Sequence, residues 1–524
     1  MRRIGIDVGG TNTDAVLIED ESVLAGVKTA TTDDITGGIL NALRELLATV
    51  DGGPGRIDAA MIGTTHFTNA VVQRRGLTSV AAVRIGLPAS ASLPPFVDWP
   101  DDLAAVVRGR VFMIEGGHEY DGRPLVEFDA AAMRAAAREI AVSGITSVGV
   151  ASIFSPLTSE CEEAAAVIIR EECPGVDITL SHELGRIGLL ERENATLLNA
   201  SIIDLARRTT HAFTEALRQS GIDAPLYLTQ NDGTVMLADF ARKYPIYSFA
   251  SGPTNSMRGA AFLTGLDDAI VVDVGGTTTD VGVLTAGFPR EANNVVEIGG
   301  VRTLFRMPDL LSLGLGGGSI VGPHGNPEGS PNGGSDRVSV GPVSVGHRIT
   351  EEALVFGGNT LTATDIAVAA GMVELGQPGM VASLDPAMVK ACSQRIRTMI
   401  DEAVDRMKVD ATPVPLIAVG GGAFLVPEDL PGVSTVIHVE HSGVANAVGA
   451  AIAQVSGEVD QVFSEVGRDA AIATATELAR QRTIDAGADP ATLSVVEVED
   501  LPLSYVPGDS RRVRVRIVGD TAAV

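Results

Sequence analysis

Residues 5–18 read GIDVGGTNTDAVLI, and residues 271–284 read VVDVGGTTTDVGVL. Asp7–Asp14 and Asp273–Asp280 agree at seven of eight positions, with Asn12 against Thr278 as the single difference. In each copy an apolar strand delivers an Asp to its end, two glycines turn the chain with no Cβ in the way, and a second β-like run follows. That is a hairpin. It differs from the strand-to-helix turn of a P-loop or a dinucleotide fingerprint, and neither GxxxxGK[ST] nor a helix-opening GxGxxG occurs at these phrases. Duplication of a whole fold unit is the economical source of two copies 266 positions apart.

Exposed backbone N–H groups at such a turn can bind an anion, and Thr and Asn side chains add donors. Gly9, Gly10, Thr11 and Asn12 in the first copy, and Gly275, Gly276, Thr277 and Thr278 in the second, are therefore candidate phosphate contacts. Two such turns facing each other would grip one polyphosphate from both sides. Asp7 and Asp273 would then approach a Mg²⁺, which takes one or two carboxylates plus phosphates and keeps several waters. Phosphoryl transfer is mostly positioning and electrostatics, so this pair is the candidate catalytic and metal-linked pair. Asp14 and Asp280 end the phrase, where hydrogen bonding that fixes the turn is favoured over direct metal contact.

A chain of 524 residues predicts two or three domains. Its net charge of −27, with no basic cluster, argues against nucleic acid or an anionic membrane as partner. Cys161, Cys173 and Cys392 sit far apart with no CxxC spacing, which argues against a disulfide framework or a zinc site. No Ser/His/Asp or Cys/His arrangement can be assembled, so nucleophilic hydrolysis is unsupported. MRRIGIDVGG reads as a strand rather than a signal peptide, and no apolar run is long enough to cross a bilayer. The expectation is a soluble cytoplasmic protein.

Along the chain, RIGIDV and TDAVLIE read as strands, ITGGILNALRELLATV as a helix, and AAMIGTTHFTNAVVQRRG as strand, turn and helix. Residues 80–190 alternate helix and strand as a layered α/β unit. ERENATLLNASIIDLARRTTHAFTEALRQSG is a long helix, PLYLTQ a strand, and the Gly- and Pro-rich stretch 314–346 a loop. PLIAVGGGAFLVP is a buried strand ending in glycines, HSGVANAVGAAIAQV a helix, and VRVRIVG in the tail an edge-type strand. In SGPTNSMRGA, Ser251 suits an N-cap and Pro253 the first helical turn; an anion site and ordinary capping explain those letters equally.

The paired DxGGTxxD hairpins resemble the nucleotide site of the superfamily of sugar kinases, actin and heat-shock chaperones. That resemblance implies an α/β fold with two duplicated ribonuclease-H-like (actin-like ATPase) domains around an ATP cleft. It also implies a third Gly-rich element packing on adenosine, for which Gly420, Gly421 and Gly422 stand in the expected place. Within the superfamily, an ordered series of phrases is similar to the hydantoinase A / oxoprolinase family. They are GTTHFTNAVVQRRG (63–76), LERENATLLNASI, QNDGTVM (230–236), ASGPTNSMRGA (250–260), SLGLGGGSI (312–320), VGPVSVG (340–346) and TATDIAVAAG (362–371).

The implied organisation is an N-terminal domain over 1–190 with an inserted α/β block, a second ATPase domain over 191–458, and a small C-terminal α+β element over 459–524. The implied activity is ATP-dependent phosphorylation of a cyclic-amide carbonyl, of hydantoin or 5-oxoproline type, to drive ring opening. ATP and Mg²⁺ are the cofactors, and the partner is a second hydrolase subunit or another copy of the chain. Substrate would lie near Thr64, Thr65 and Asn69 on one side, and near Gly316, Gly317, Gly318 and Ser319 on the other. The alternatives are a subunit of an ATP-dependent ketone carboxylase and a nucleotide-switched, chaperone-like ATPase.

Overall fold

Strand Arg2–Val8 pairs antiparallel with Asn12–Glu19, setting Asp7 opposite Asp14. Strand Ala269–Val274 pairs antiparallel with Thr279–Thr285, setting Asp273 opposite Asp280. On its other side each first strand takes a parallel neighbour, Ala59–Thr64 or Val414–Val419. Each second strand takes an antiparallel third, Ser22–Ala30 or Leu310–Leu313. The two hairpins thus hold the same place in two sheets. These relations come from a computed structural model, which describes residues 1–9, 12–32, 35–50, 56–184, 187–292, 296–303, 307–323, 338–503 and 510–522.

The first sheet has nine strands, in the order Ser494–Pro502, Arg511–Gly519, Val455–Phe463, Val235–Leu237, Leu226–Thr229, Ala59–Thr64, Arg2–Val8, Asn12–Glu19 and Ser22–Ala30. The second runs Phe288–Pro289, Thr279–Thr285, Ala269–Val274, Val414–Val419 and Val433–His438, with Leu310–Leu313 added to Thr279–Thr285. The near-continuous apolar strands are buried on both faces, as parallel-sheet strands are. Ile4, Ile6 and Val8 face helices Ile35–Thr49 and Leu189–Gln219, while Val16 and Ile18 on the neighbouring strand face helix Ala445–Ile452. Ile270, Val272 and Val274 face helix Pro386–Met407, and Ala269 and Val271 face helix Ser251–Thr264.

Helices Ser251–Thr264 and Ala445–Ile452 lie between the two sheets and cross in backbone contact. A Cβ on Gly259 would stand 1.8 Å from the Ala445 carbonyl oxygen, and one on Gly449 1.8 Å from that of Asn255. Only glycine permits this crossing, and the crossing holds the two hairpins beside one another.

Residues 80–180 form a separate four-stranded parallel sheet in the order Arg108–Glu115, Val80–Leu87, Ser147–Ser152 and Asp177–Leu180. Helices Ala130–Ser143 and Glu160–Glu172 cover one face. The long helix Leu189–Gln219 anchors the block through a buried ion pair, with Arg84 Nε donating to Glu193 Oε1 at 2.6 Å.

Two expectations change. The stretch 314–346 is not all loop: Ser319–Pro323 and Val338–Ser344 form an antiparallel pair, and residues 324–337 lie outside the described ones. VRVRIVG belongs to Arg511–Gly519, which is an interior strand between Val455–Phe463 and Ser494–Pro502. Its alternation reflects one face packed on helix Arg468–Asp485 and another carrying a ladder of arginines paired to acids. The edge strand is Ser494–Pro502. Among the described residues, no helix is long and apolar enough to cross a membrane.

Candidate functional site

Both turns close in the same way. Gly9 N–H donates to the Asn12 carbonyl at 3.0 Å, and Gly275 N–H to the Thr278 carbonyl at 2.9 Å. Both open into one cleft of about 440 Å³. Asp7, Gly9, Asn12 and Asp14 line it from the first hairpin, and Asp273, Gly275, Gly276, Thr277, Thr278 and Asp280 from the second. Gly420 and Gly421 line it too, as do Thr65 and Asn69. Gly10 and Thr11 lie outside the described residues.

Other sequence-predicted residues are placed differently. Gly422 does not line the cleft; its N–H donates to the Val274 carbonyl at 2.8 Å. Thr64 is buried, and its hydroxyl meets His66 Nδ1 at 2.6 Å. Gly316–Ser319 pack behind the second turn. There Gly317 and Gly318 N–H donate to the carbonyls of Gly275 and Gly276 at 3.0 and 2.8 Å, so these residues buttress the turn. Ser251 begins its helix, but the capping position belongs to Ala250, held in the left-handed region at φ 56°, and Ser251 Oγ has no partner. Gly252, Pro253 and Ser256 of the same helix line the cleft.

The carboxylates sit in tight niches. A Cβ on Gly63 would lie 2.6 Å from Asp7 Oδ1, and one on Gly420, at φ +86°, 2.3 Å from Asp273 Oδ1. Glycine at the end of each parallel neighbour strand is what lets an aspartate lie there. Asp7 Oδ2 accepts a hydrogen bond from Asn446 Nδ2 at 2.9 Å, while Asp7 Oδ1 is buried without a partner. Burial pushes the Asp7 carboxyl up to about 7; Asp14 and Asp273 add to the rise, against Lys28 and Asn446. Burial likewise raises Asp273, opposed by the Ser256 hydrogen bond, and brings Asp280 to about 6.

The hairpins differ in what meets their last aspartate. Asp14 lies opposite Lys28, whose Nζ donates to both carboxylate oxygens at 2.6 Å; Asp280 lies opposite Ser312, whose hydroxyl donates to it. Four carboxylates and one ammonium thus line the cleft among the described residues. This uncompensated negative charge suits a divalent cation accompanying a polyphosphate. No three His, Cys, Asp or Glu side chains converge on a metal centre of their own among the described residues.

Sequence reasoning missed Lys28, Ser256, Ser442 and Asn446, all of which line the cleft. Asn446 had a readable signal as the one polar residue in the apolar helix ANAVGAAI. Lys28 is one of only four lysines, but its pairing with Asp14 depends on strand register. A larger cavity of about 560 Å³ lies at Gln230–Asp232, Tyr244, Tyr247 and Ser456; it contains none of the predicted site residues.

Twin Gly-turn hairpins with four aspartates over one cleft define an α/β protein of double-turn, acidic-cleft type. Its sequence matches the profile of the hydantoinase/oxoprolinase N-terminal region over residues 3–173 and the hydantoinase/oxoprolinase profile over residues 192–385. The chain belongs to the hydantoinase/oxoprolinase family.

The chain is 25% identical over 434 residues to the caprolactamase subunit alpha of Pseudomonas jessenii, covering 78% of this chain and 60% of that protein. It is 25% identical over 399 residues to the acetophenone carboxylase gamma subunit of Aromatoleum aromaticum, covering 71% and 53%. It therefore spans little more than half the length of these relatives. Among solved structures, the fold is similar to that of the ATP-dependent caprolactamase from Pseudomonas jessenii, with TM-score 0.77 at 18% identity over 99% of this chain and 87% of that one. It is also similar to nucleotide-free acetone carboxylase, with TM-score 0.69 at 16% identity over 100% and 88%.

Proposed function

We propose that this chain is an ATP-dependent enzyme subunit that phosphorylates the carbonyl oxygen of a cyclic amide to drive ring opening. The observation that carries the reading is the convergence of the turns at Gly9–Asn12 and Gly275–Thr278, with Asp7 and Asp273, on one cleft. The matching placement of the two hairpins in their sheets supports two duplicated actin-like domains, over 1–190 and 191–458. In this reading the strands within 455–519 extend the first domain's sheet.

In this reading the N–H groups and side-chain donors of Asn12, Gly275, Gly276, Thr277 and Thr278 hold the phosphates, and Gly420 and Gly421 seat the nucleoside. Asp7 and Asp273 would hold Mg²⁺, which when bound neutralises phosphate charge; the unpartnered Asp7 Oδ1 fits such a ligand. The substrate lies against Thr65, Asn69 and the start of helix Ser251–Thr264, which also line the cleft. Its carbonyl oxygen bonds to the γ-phosphorus as the bond to ADP breaks and the amide N–H proton departs. The product is an O-phosphorylated imidate. Water then adds to its carbon and the ring nitrogen leaves, taking up a proton, to give an acyl phosphate; a second water releases phosphate and leaves the ring-opened carboxylate, on this chain or on a partner subunit. A cleft that positions both reactants supplies the first step by orientation and electrostatics.

The test is ADP release by the purified protein across hydantoins, lactams and 5-oxoproline. Stimulation by a cyclic amide supports the reading, and indifference to all of them removes it. The similarity to an acetophenone carboxylase subunit favours one second reading, phosphorylation of a ketone enolate or bicarbonate. ADP release dependent on a ketone and bicarbonate would select it. Both relatives are named as subunits, which supports a partner here.

A further inference from the structure

The QNDGTVM phrase (230–236) plays no part in the nucleotide cleft. It joins strands Leu226–Thr229 and Val235–Leu237, and Gly233, at φ +83°, lets the turn pack on helix Ser251–Thr264. A Cβ on Gly233 would lie 3.0 Å from the side chains of both Thr254 and Arg258. Gln230, Asn231 and Asp232 line the separate cavity of about 560 Å³. Asn231 is 7% exposed. Its N–H donates to the Tyr247 carbonyl at 2.7 Å, and its carbonyl accepts from Thr254 Oγ1 at 3.1 Å. Its side-chain amide bonds nothing among the described residues. Buried amides normally have a partner. With both main-chain groups taken, that amide is what Asn231 offers the cavity.

Helix Arg468–Asp485 brings Arg482 and Asp485 to the same cavity. Opposite charges three apart on a helix are neighbours. Elsewhere in the chain such couples bond, Glu215 with Arg218 at 2.7 Å and Asp239 with Arg242 at 2.8 Å. Arg482 and Asp485 do not. Arg482 Nη1 donates to the Glu458 carbonyl at 2.8 Å, and Asp485 Oδ1 accepts from Gln481 Nε2 at 2.8 Å. Neither has an ion pair among the described residues. Every other carboxylate lining the cavity has a cation within ion-pair reach. The lysine there, Lys243, is spent on Glu183 at 3.1 Å. One guanidinium and one carboxylate are thus left over.

Between these polar groups the cavity has carbon. Phe240 and Tyr244 have ring centroids 4.9 Å apart, Tyr244 and Tyr247 6.0 Å apart, and all three rings belong to its lining. A polyphosphate would meet the surrounding acids. A simple cation would leave Arg482 without a partner. A small molecule with one charge of each sign on a carbon chain answers both leftover groups.

We propose that this cavity is a second small-molecule site, and that its ligand is an amino acid. The carboxylate pairs with Arg482, the ammonium with Asp485, the chain lies on the tyrosine rings, and the Asn231 amide donates to the carboxylate. Opening a lactam leaves an amine and a carboxylate on one chain. That the ligand is the reaction's own product therefore rests on the reading above; the site and its ligand class rest on the cavity alone.

The test is calorimetric titration of the whole purified chain, without nucleotide, with 5-aminopentanoate and with glutamate. Pentanoate and pentylamine are the single-charge controls. Expected is saturable binding of one of the two amino acids, at least about tenfold tighter than either control, and undiminished by a saturating nonhydrolysable ATP analogue. Asp485→Asn, at an exposed position, and Arg482→Gln should each weaken it at least about tenfold. Where Arg482→Gln fails to fold, Asp485→Asn decides. Binding of neither amino acid would overturn the proposal. So would binding no tighter than that of the controls, binding that survives Asp485→Asn unchanged, or displacement by the nucleotide analogue, which would move the ligand to the cleft. Because no nucleotide turnover is read, none of these outcomes alters the ADP-release test of the cleft, and failure of that test leaves this one standing.

Discussion

Asn446 Nδ2 donates to Asp7 Oδ2 at 2.9 Å, tying the helix Ala445–Ile452 to the first hairpin across 439 positions of sequence. Both residues line the cleft. Asn446→Leu removes the one donor that opposes the upward pull of burial on Asp7 through a side-chain hydrogen bond. The Asp7 carboxyl, at about 7, should then rise further. Because the ionised form is the one that works in this account, the acidic limb of the pH–rate profile should move to higher pH. Unfolding in urea should show a loss of about 1–3 kcal/mol, the usual consequence of stripping a partner from a buried polar group. An unmoved limb would show that the bond does not tune Asp7.

Asp7→Asn and Asp273→Asn should each nearly abolish ADP release. They should also stabilise the nucleotide-free protein, because burial already favours the uncharged form of both side chains. For Asp7 the gain near neutral pH is on the order of 2–4 kcal/mol, from the linkage between a raised carboxyl and folding. Thermal melts and ADP release on the same samples check both halves. Wild-type turnover in either variant would remove its assignment.

Lys28 is the one cationic side chain lining the cleft among the described residues. Lys28→Met leaves Asp14, which is 1% exposed, without its counter-charge. Breaking a buried pair is costly, but Lys28 is one-third exposed, so a loss of about 1–3 kcal/mol is expected rather than the full buried-pair value. Nucleotide affinity should fall by at least about tenfold, equivalent to 1.4 kcal/mol, because the cleft loses its one fixed positive charge. Calorimetric titration with a nonhydrolysable ATP analogue measures this directly, and unchanged affinity would contradict it.

In the inserted block, His182 Nδ1 lies 2.7 Å from Oε2 of the fully buried Glu162. Burial would lower the imidazole, but the Glu162 hydrogen bond and the charges of Glu162, Glu183 and Glu163 together raise it. A raised histidine stabilises the fold fully below its unfolded value of about 6.5 and loses that contribution as pH rises through the folded value. Burial would raise Glu162, but the His182 hydrogen bond and charge, Arg192 and the Ser181 hydroxyl depress it, and that contribution is lost as pH falls through the folded carboxyl value. His182→Gln should therefore flatten the fall in stability on the alkaline side of pH 6.5. Urea unfolding at a series of pH values reads this, and parallel curves for the two proteins would contradict it.

The hairpins, the long helix and the inserted block were legible because each is a local pattern: period-two or continuous apolar runs ending in glycine, or apolar residues at helical spacing. The shared cleft was legible only because the phrase occurs twice. Gly316–Ser319 misled because a glycine-rich run looks alike whether it meets a ligand or lets backbone approach backbone; here its N–H groups meet the carbonyls of Gly275 and Gly276. Arg511–Gly519 misled because alternation does not tell a solvent-facing arginine from one paired to acids, and Arg514 is 1% exposed. Lys28 and Asn446 were out of reach of motif reading, since cross-strand register and helix packing bring them to Asp14 and Asp7.

A crystal structure with Mg²⁺ and a nonhydrolysable ATP analogue tests the central claim most directly. The account predicts one nucleotide with its phosphates between the turns Gly9–Asn12 and Gly275–Thr278, the metal beside Asp7 and Asp273, and the base toward Gly420 and Gly421. Nucleotide bound only in the cavity beside Tyr244 and Tyr247, or phosphates touching a single turn, would contradict it.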